Sequence, residues 1–187
     1  MVVHRTKLII LSAALIVVPG CAGTPQERLA ASIKAGDLEA VEQLLASSAE
    51  ANKSFEDGTP RLGAAAKTGN VEILRLLAEA GAELEPNVMI HLQPLYMAVM
   101  ADKPDAVAWL LDKGVNVDGQ TSTGITPLYG ALALKNQSVA ILLIERGANV
   151  NAVNSKGDSM LVVARRYQQN DIVRSLLEKG ALESRRE

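Results

Sequence analysis

Leucine stands at positions 29, 62, 95, 128 and 161 of this chain, each 33 residues from the last. A second series at 44, 77, 110, 143 and 176 keeps the same interval. So does glycine at 81, 114, 147 and 180, with Ser48 in the corresponding place of the first frame. Three series in phase, with no insertion, mean that one structural unit is repeated five times along the 187 residues. Such units bury their apolar faces between neighbours and leave an extended surface, which suits holding a partner better than enclosing a substrate.

The fourth frame reads most clearly. Pro127 suits the first turn of a helix, where its missing N–H has no intrahelical role, and Thr126 can cap that turn. Leu128, Ala131 and Leu132 then share one helical face. Lys135-Asn136 breaks the helix, and Asn136 can cap the next. Val139, Ala140, Leu142, Leu143 and Ile144 give the second helix a wide apolar side. Gly147 can end it in a left-handed conformation, and Ala148-Asn149-Val150-Asn151 leads into a turn.

With its 33-residue period, the run Gly124-Ile125-Thr126-Pro127-Leu128-Tyr129-Gly130-Ala131 resembles the ankyrin repeat. The other frames carry matching pieces: Ala35-Gly36-Asp37, Lys67-Thr68-Gly69-Asn70, Pro94-Leu95-Tyr96-Met97-Ala98, and Leu176-Leu177-Glu178-Lys179-Gly180-Ala181. The resemblance implies an all-α fold, an ankyrin-repeat solenoid of about five helix-turn-helix repeats with projecting β-turns. The repeat domain would span 29–187, with frames near 21–53, 54–86, 87–119, 120–152 and 153–187. Three departures stand out. Thr59-Pro60 sits one place early against Leu62, which predicts a distorted lead-in turn in the second frame. Asp102-Lys103-Pro104 replaces the family's Gly-His between helices. Tyr96 and Tyr129 stand where the family carries histidine, so its histidine-centred hydrogen bonds are remade or lost.

Register sorts core from caps. The equivalents Gln43, Leu76, Trp109, Leu142 and Ser175 are apolar in the three middle frames and polar at both ends, as the terminal units of a solenoid should be. This phase puts Trp109 in the core between repeats.

Ankyrin stacks bind partners through their turn tips and the concave face of the first helices; this is what the resemblance implies. The residues add where to look. Most turn tips are polar, but the third reads Asn87-Val88-Met89-Ile90-His91-Leu92. Val88, Met89, Ile90 and His91 are either a partner-binding finger or a segment folded back onto its neighbours. On the concave face Met100, Leu134 and Tyr167 make an apolar strip, with Tyr96 and Arg166 beside it. For Leu134, partial burial between first helices is the competing reading.

Catalysis has little to work with. The two histidines are His4 and His91, the glycines follow the repeat and form no phosphate loop, and the acids fall mostly on helix exteriors. No catalytic residue, cofactor or metal site is expected. Asp118, Asn149 and Asn151 lie near turns, where they either ligate a cation or, more commonly, hold the turns through backbone N–H groups. With a net charge of -2 and no basic block, nucleic acid is not an expected partner.

The first residues differ in kind. His4, Arg5 and Lys7 precede an 11-residue apolar run, Leu8 to Val18, too short for a mature span. Val18-Pro19-Gly20-Cys21 resembles the bacterial lipobox, although Pro19 departs from the usual residue at that place. The resemblance implies cleavage after residue 20, lipidation at Cys21, and a short linker over 21–28. An ordinary secretory peptide and an uncleaved anchor are the alternatives. Processing would remove Arg5 and Lys7 and no acid, taking the net charge from -2 to -4. Several acyl chains attach a protein firmly where one does so marginally, and Ala22 after the cysteine resembles outer-membrane sorting.

These features together lead us to expect a periplasm-facing, lipid-anchored ankyrin-repeat protein that binds a protein partner, as an inhibitor or immunity protein or as a scaffold. The alternative is a structural envelope protein that contacts lipid or peptidoglycan without a dedicated protein partner.

Overall fold

The computed structural model describes residues 23–47, 50–86, 89, 93–119, 125–154 and 156–182. Among these residues the chain forms ten helices in five pairs. They are α1 (Pro25–Ala35) with α2 (Leu38–Ala46), α3 (Arg61–Thr68) with α4 (Val71–Glu79), α5 (Pro94–Met100) with α6 (Pro104–Asp112), α7 (Pro127–Leu134) with α8 (Gln137–Glu145), and α9 (Met160–Arg166) with α10 (Asn170–Glu178). First helices pack on first helices and second on second. The two leucine series lie between them: Leu29, Leu62, Leu128, Leu143 and Leu176 are at most 1% exposed.

Short polar features start several helices on the repeat. Thr126 accepts from the Tyr129 N–H at 3.1 Å, with Pro127 in the first turn, as its sequence requires. Ser159, one period on, accepts from Val162 N–H at 3.4 Å. The second helices begin after Asp37, Asn70, Lys103, Asn136 and Gln169. Asp37 and Asn70 cap their own helices. The Asn136 side chain instead donates to Val99 O at 2.8 Å and the Gln169 side chain to Leu132 O at 2.7 Å, so each bonds to the preceding repeat.

The second frame's lead-in turn is not distorted. Ser54 pairs with Pro60 in an antiparallel bridge, as Val153 pairs with Ser159 three periods later. What changes is the chemistry. Pro60 takes the cap position and offers no side-chain oxygen, and Arg61 moves into the first helical place. The helix-to-helix turn also keeps its shape where glycine is lost: Asp102 (φ 52°), Lys135 (φ 62°) and Gln168 (φ 59°) adopt the left-handed conformation of Gly36 and Gly69.

A second ladder ties the turns together. Asn52, Glu85, Asp118 and Asn151 accept from the N–H groups of Glu83, Asn116, Asn149 and Leu182 at 2.7, 3.0, 2.9 and 2.8 Å. The two asparagines also donate, to Gly81 O and Gly180 O, which the carboxylates cannot do.

The ends differ from the middle. α1 begins after Thr24, three residues before the repeat would start it, because Thr24 and Glu27 form a reciprocal capping box. The helix therefore takes in residues 25–28, which the sequence reading assigns to a linker. At the other end Ile144 is 2% exposed and its equivalent Leu177 is 44% exposed, so the last unit is less polar than expected of a cap. Trp109 is half-buried against the core, with the Lys113 ammonium 5.6 Å from its ring, rather than enclosed between repeats.

Candidate functional site

The row of first helices is packed more closely than the row of second helices at every step. By the repeat resemblance, the outward side of the first helices is the concave face. This face is where the sequence expects contact residues.

Met100 and Leu134 are 42% and 46% exposed, high for large apolar side chains at helix C-terminal turns. Their relation runs through Gly130. A Cβ there would stand 3.4 Å from the Met100 sulfur, and Leu134 lies one turn further along the same face of α7. Tyr167, one period after Leu134, is half-buried against the core. For Leu134 the burial reading gives way to exposure. Met100 and Leu134 are thus exposed at the C-terminal turns of α5 and α7, while Tyr167, at the end of α9, is partly buried.

Two neighbours serve the fold more than the surface. Tyr96 is buried and packs over Gly130, whose missing side chain makes the room; burial, with Tyr129 close by, pushes its phenol pKa up. It is therefore not an exposed contact residue. Arg166 is engaged by Asp158 through two hydrogen bonds at 2.8 and 3.0 Å. That guanidinium holds the Asp158 carboxyl below the usual carboxylate range. In the third finger Met89 is 66% exposed. Val88, Ile90 and His91 lie outside the described residues, as do Cys21 and Ser48.

Asp118 and Asn151 already accept backbone N–H groups of the following repeat, and Asn149 accepts from Asn151 N–H at 3.0 Å. Their geometry is that of turn ties. Among the described residues no group of three or more His, Cys, Asp or Glu is placed to hold a metal ion. No described helix is long and apolar enough to cross a membrane.

Arg61 was missed by sequence reading. It is 3% exposed, and its guanidinium donates to the Gln26 side chain at 2.7 Å, to Gln26 O at 3.1 Å and to Glu50 O. Burial lowers its pKa, an effect that Glu50 opposes. Register held the signal: Arg61 occupies the place of Pro94 and Pro127, first in their helices and buried.

A family model described as ankyrin repeats (3 copies) matches residues 28–121 and 95–186. The chain belongs to the ankyrin-repeat family. Comparison with curated proteins finds no match. Ankyrin repeats serve in general as protein-interaction scaffolds and are typically non-enzymatic. In this ankyrin-repeat protein Met100 and Leu134 are large apolar side chains left exposed on the first-helix row, and Met89 is exposed in the third frame's turn.

Proposed function

We propose that this ankyrin-repeat protein is a lipid-anchored binding module of a bacterial envelope. Cys21 carries the lipid, the stack faces the periplasm, and a protein partner docks on the concave strip. The observation that carries the binding role is the pair Met100 and Leu134, two large apolar side chains that the fold leaves exposed on its inner face. In this reading the protein acts by occlusion or scaffolding, as an inhibitor, an immunity protein or a support for an envelope enzyme, and not as a catalyst. The segment Val18-Pro19-Gly20-Cys21 supports the anchor, and Ala22 the outer membrane. Since α1 begins at Pro25, few residues separate Cys21 from the first helix, and the stack would stand close to the bilayer.

A photo-crosslinking amino acid at position 134 of the full chain, in cells, tests the binding role. A discrete protein adduct that is lost when Met100 becomes aspartate is the expected result; no adduct would overturn it. Labelling with an alkyne fatty acid tests the anchor, which fails if Cys21→Ser leaves the label in place.

Met89 supports a second reading, in which an exposed apolar finger dips into lipid and the protein is a structural envelope component. Flotation of the Cys21→Ser chain with liposomes, abolished by Met89→Asp, would favour it over the first.

A further inference from the structure

The charges of this protein are sorted by helix row. The five first helices carry Arg28, Lys34, Arg61, Lys67, Arg165 and Arg166 against the single acid Glu27; the five second helices carry nine acids against Arg75 and Arg174. The chain is net acidic, yet the helices that line its concave face are basic. Within that face the sorting goes further. α5 and α7 hold no charged residue, so the basic residues stand at the two ends and the apolar strip lies between them.

One register row makes this concrete. Lys34, Lys67, Met100, Ala133 and Arg166 are successive equivalents 33 residues apart. The ends are not alike. Arg166 already shares its charge with Asp158 at 2.8 Å. Lys34 lies over the Phe55 ring at 4.4 Å, a contact that leaves its charge in place, and it acts through space on the Asp57 carboxyl. Lys67 is exposed and has no ion pair among the described residues. The positive charge that no ion pair takes up therefore sits at the α1–α3 end, most openly at Lys67, and the exposed apolar surface begins one helix further on.

Resting on the concave-face reading above, we propose that the ligand is an extended acidic protein segment, with its carboxylates over α1 and α3 and its apolar side chains over α5 and α7. Helices in such a row stand roughly 8–10 Å apart, and an extended chain advances about 3.3 Å per residue. A segment crossing the row meets a new helix about every three residues. It presents an acid to Lys34, a second acid three residues on to Lys67, then apolar residues at the same spacing to Met100 and Leu134. Charge sets the direction in which the segment lies, and the apolar pair anchors it.

Selection from a random peptide display library on the immobilised full chain in detergent tests this. The expected ligands carry two acids followed by two apolar residues at about three-residue spacing. As synthetic peptides read by fluorescence anisotropy, they should lose about tenfold in affinity for the Lys34→Glu/Lys67→Glu variant and recover it when their acids become lysine. Leu134→Ser should weaken the same peptides with no change in the salt dependence of binding. Both variants lie on exposed positions, and circular dichroism should show that both keep the parent's fold. Selected peptides without acids, affinity indifferent to charge reversal, or no selected peptide would each overturn the proposal. So would binding of phosphatidylglycerol vesicles through Lys67 with no peptide selected, which assigns the basic end to lipid. A crosslinked partner at residue 134 whose contact segment is neutral or basic would sink this inference and leave the broader binding role standing.

Discussion

Arg61 reaches back across the repeat boundary and holds Gln26, its guanidinium 2.7 Å from the side-chain oxygen and 3.1 Å from the main-chain oxygen. The same group donates to Glu50 O, so one buried side chain closes the first helix and the following turn against α3. Removing it would leave carbonyl groups without donors. Arg61→Met should cost about 1.5–3 kcal/mol, the range for hydrogen bonds to a charged group. Hydrogen exchange should show the loss first in α1 and α2. Equal protection of those helices in parent and variant would mean that Arg61 is not the tie between them.

Burial should decide the cost of truncating a leucine. Leu143 is fully buried between neighbouring repeats, whereas Leu177, on the outer side of the last described helix, is 44% exposed. Leu143→Ala should cost about 2–5 kcal/mol through lost burial and a cavity. Leu177→Ala should cost well under half of that. Urea melts of the two variants supply the comparison, and similar midpoints would contradict the burial of Leu143 between repeats.

The regular part of this fold was legible because each repeat solves one packing problem with one set of side chains. Leu128 and Leu143 could be placed in the core from spacing alone, and Thr126 and Pro127 at a helix start. Legibility failed where a residue's role depends on a neighbour 30 or more positions away. Tyr96 read as a surface residue because its burial depends on Gly130, one period on and a place displaced. Arg61 read as nothing, because its partners lie in α1 and the turn before α3. Met100 and Leu134 were legible as candidates, although spacing alone could not separate exposure from burial for Leu134, which is 46% exposed. The ladder from Asn52 to Asn151 was half visible: Asp118 and Asn151 were recognised as turn residues, but not that they serve the next repeat's turn.

The left-handed turns between helices offer a gain in stability. Gln168 adopts φ 59° where the equivalent Gly69 adopts 81°. A side chain there costs about 1–2 kcal/mol by contact with the following carbonyl, and glycine returns part of that through its greater freedom when unfolded. Gln168→Gly should stabilise the protein by about 0.5–1 kcal/mol, or about 1–4 °C in midpoint for a domain of this size. The reverse change, Gly69→Gln, should destabilise, because its Cβ would also lie 2.8 Å from Lys103 Cδ. A lower midpoint for Gln168→Gly would show that the glutamine side chain contributes more than its backbone strain costs.

Asp158 links stability to pH. Its folded pKa lies below the ordinary 3.8, chiefly because Arg166 donates to the carboxylate, with Asn154 adding a weaker hydrogen bond. A carboxylate with a depressed pKa contributes stability that is fully present above the unfolded value and is lost as pH falls through the folded value. The advantage of the parent over Asp158→Asn should thus be constant from neutral pH down to about 5 and shrink steadily below about 4. Arg166→Gln should flatten the same limb, since it removes the main cause of the shift. Urea midpoints of the three proteins between about pH 7 and pH 2 measure this. A gap between parent and Asp158→Asn that persists undiminished at the acid end would show that the pair's charge contributes nothing and that only the shape of the turn matters.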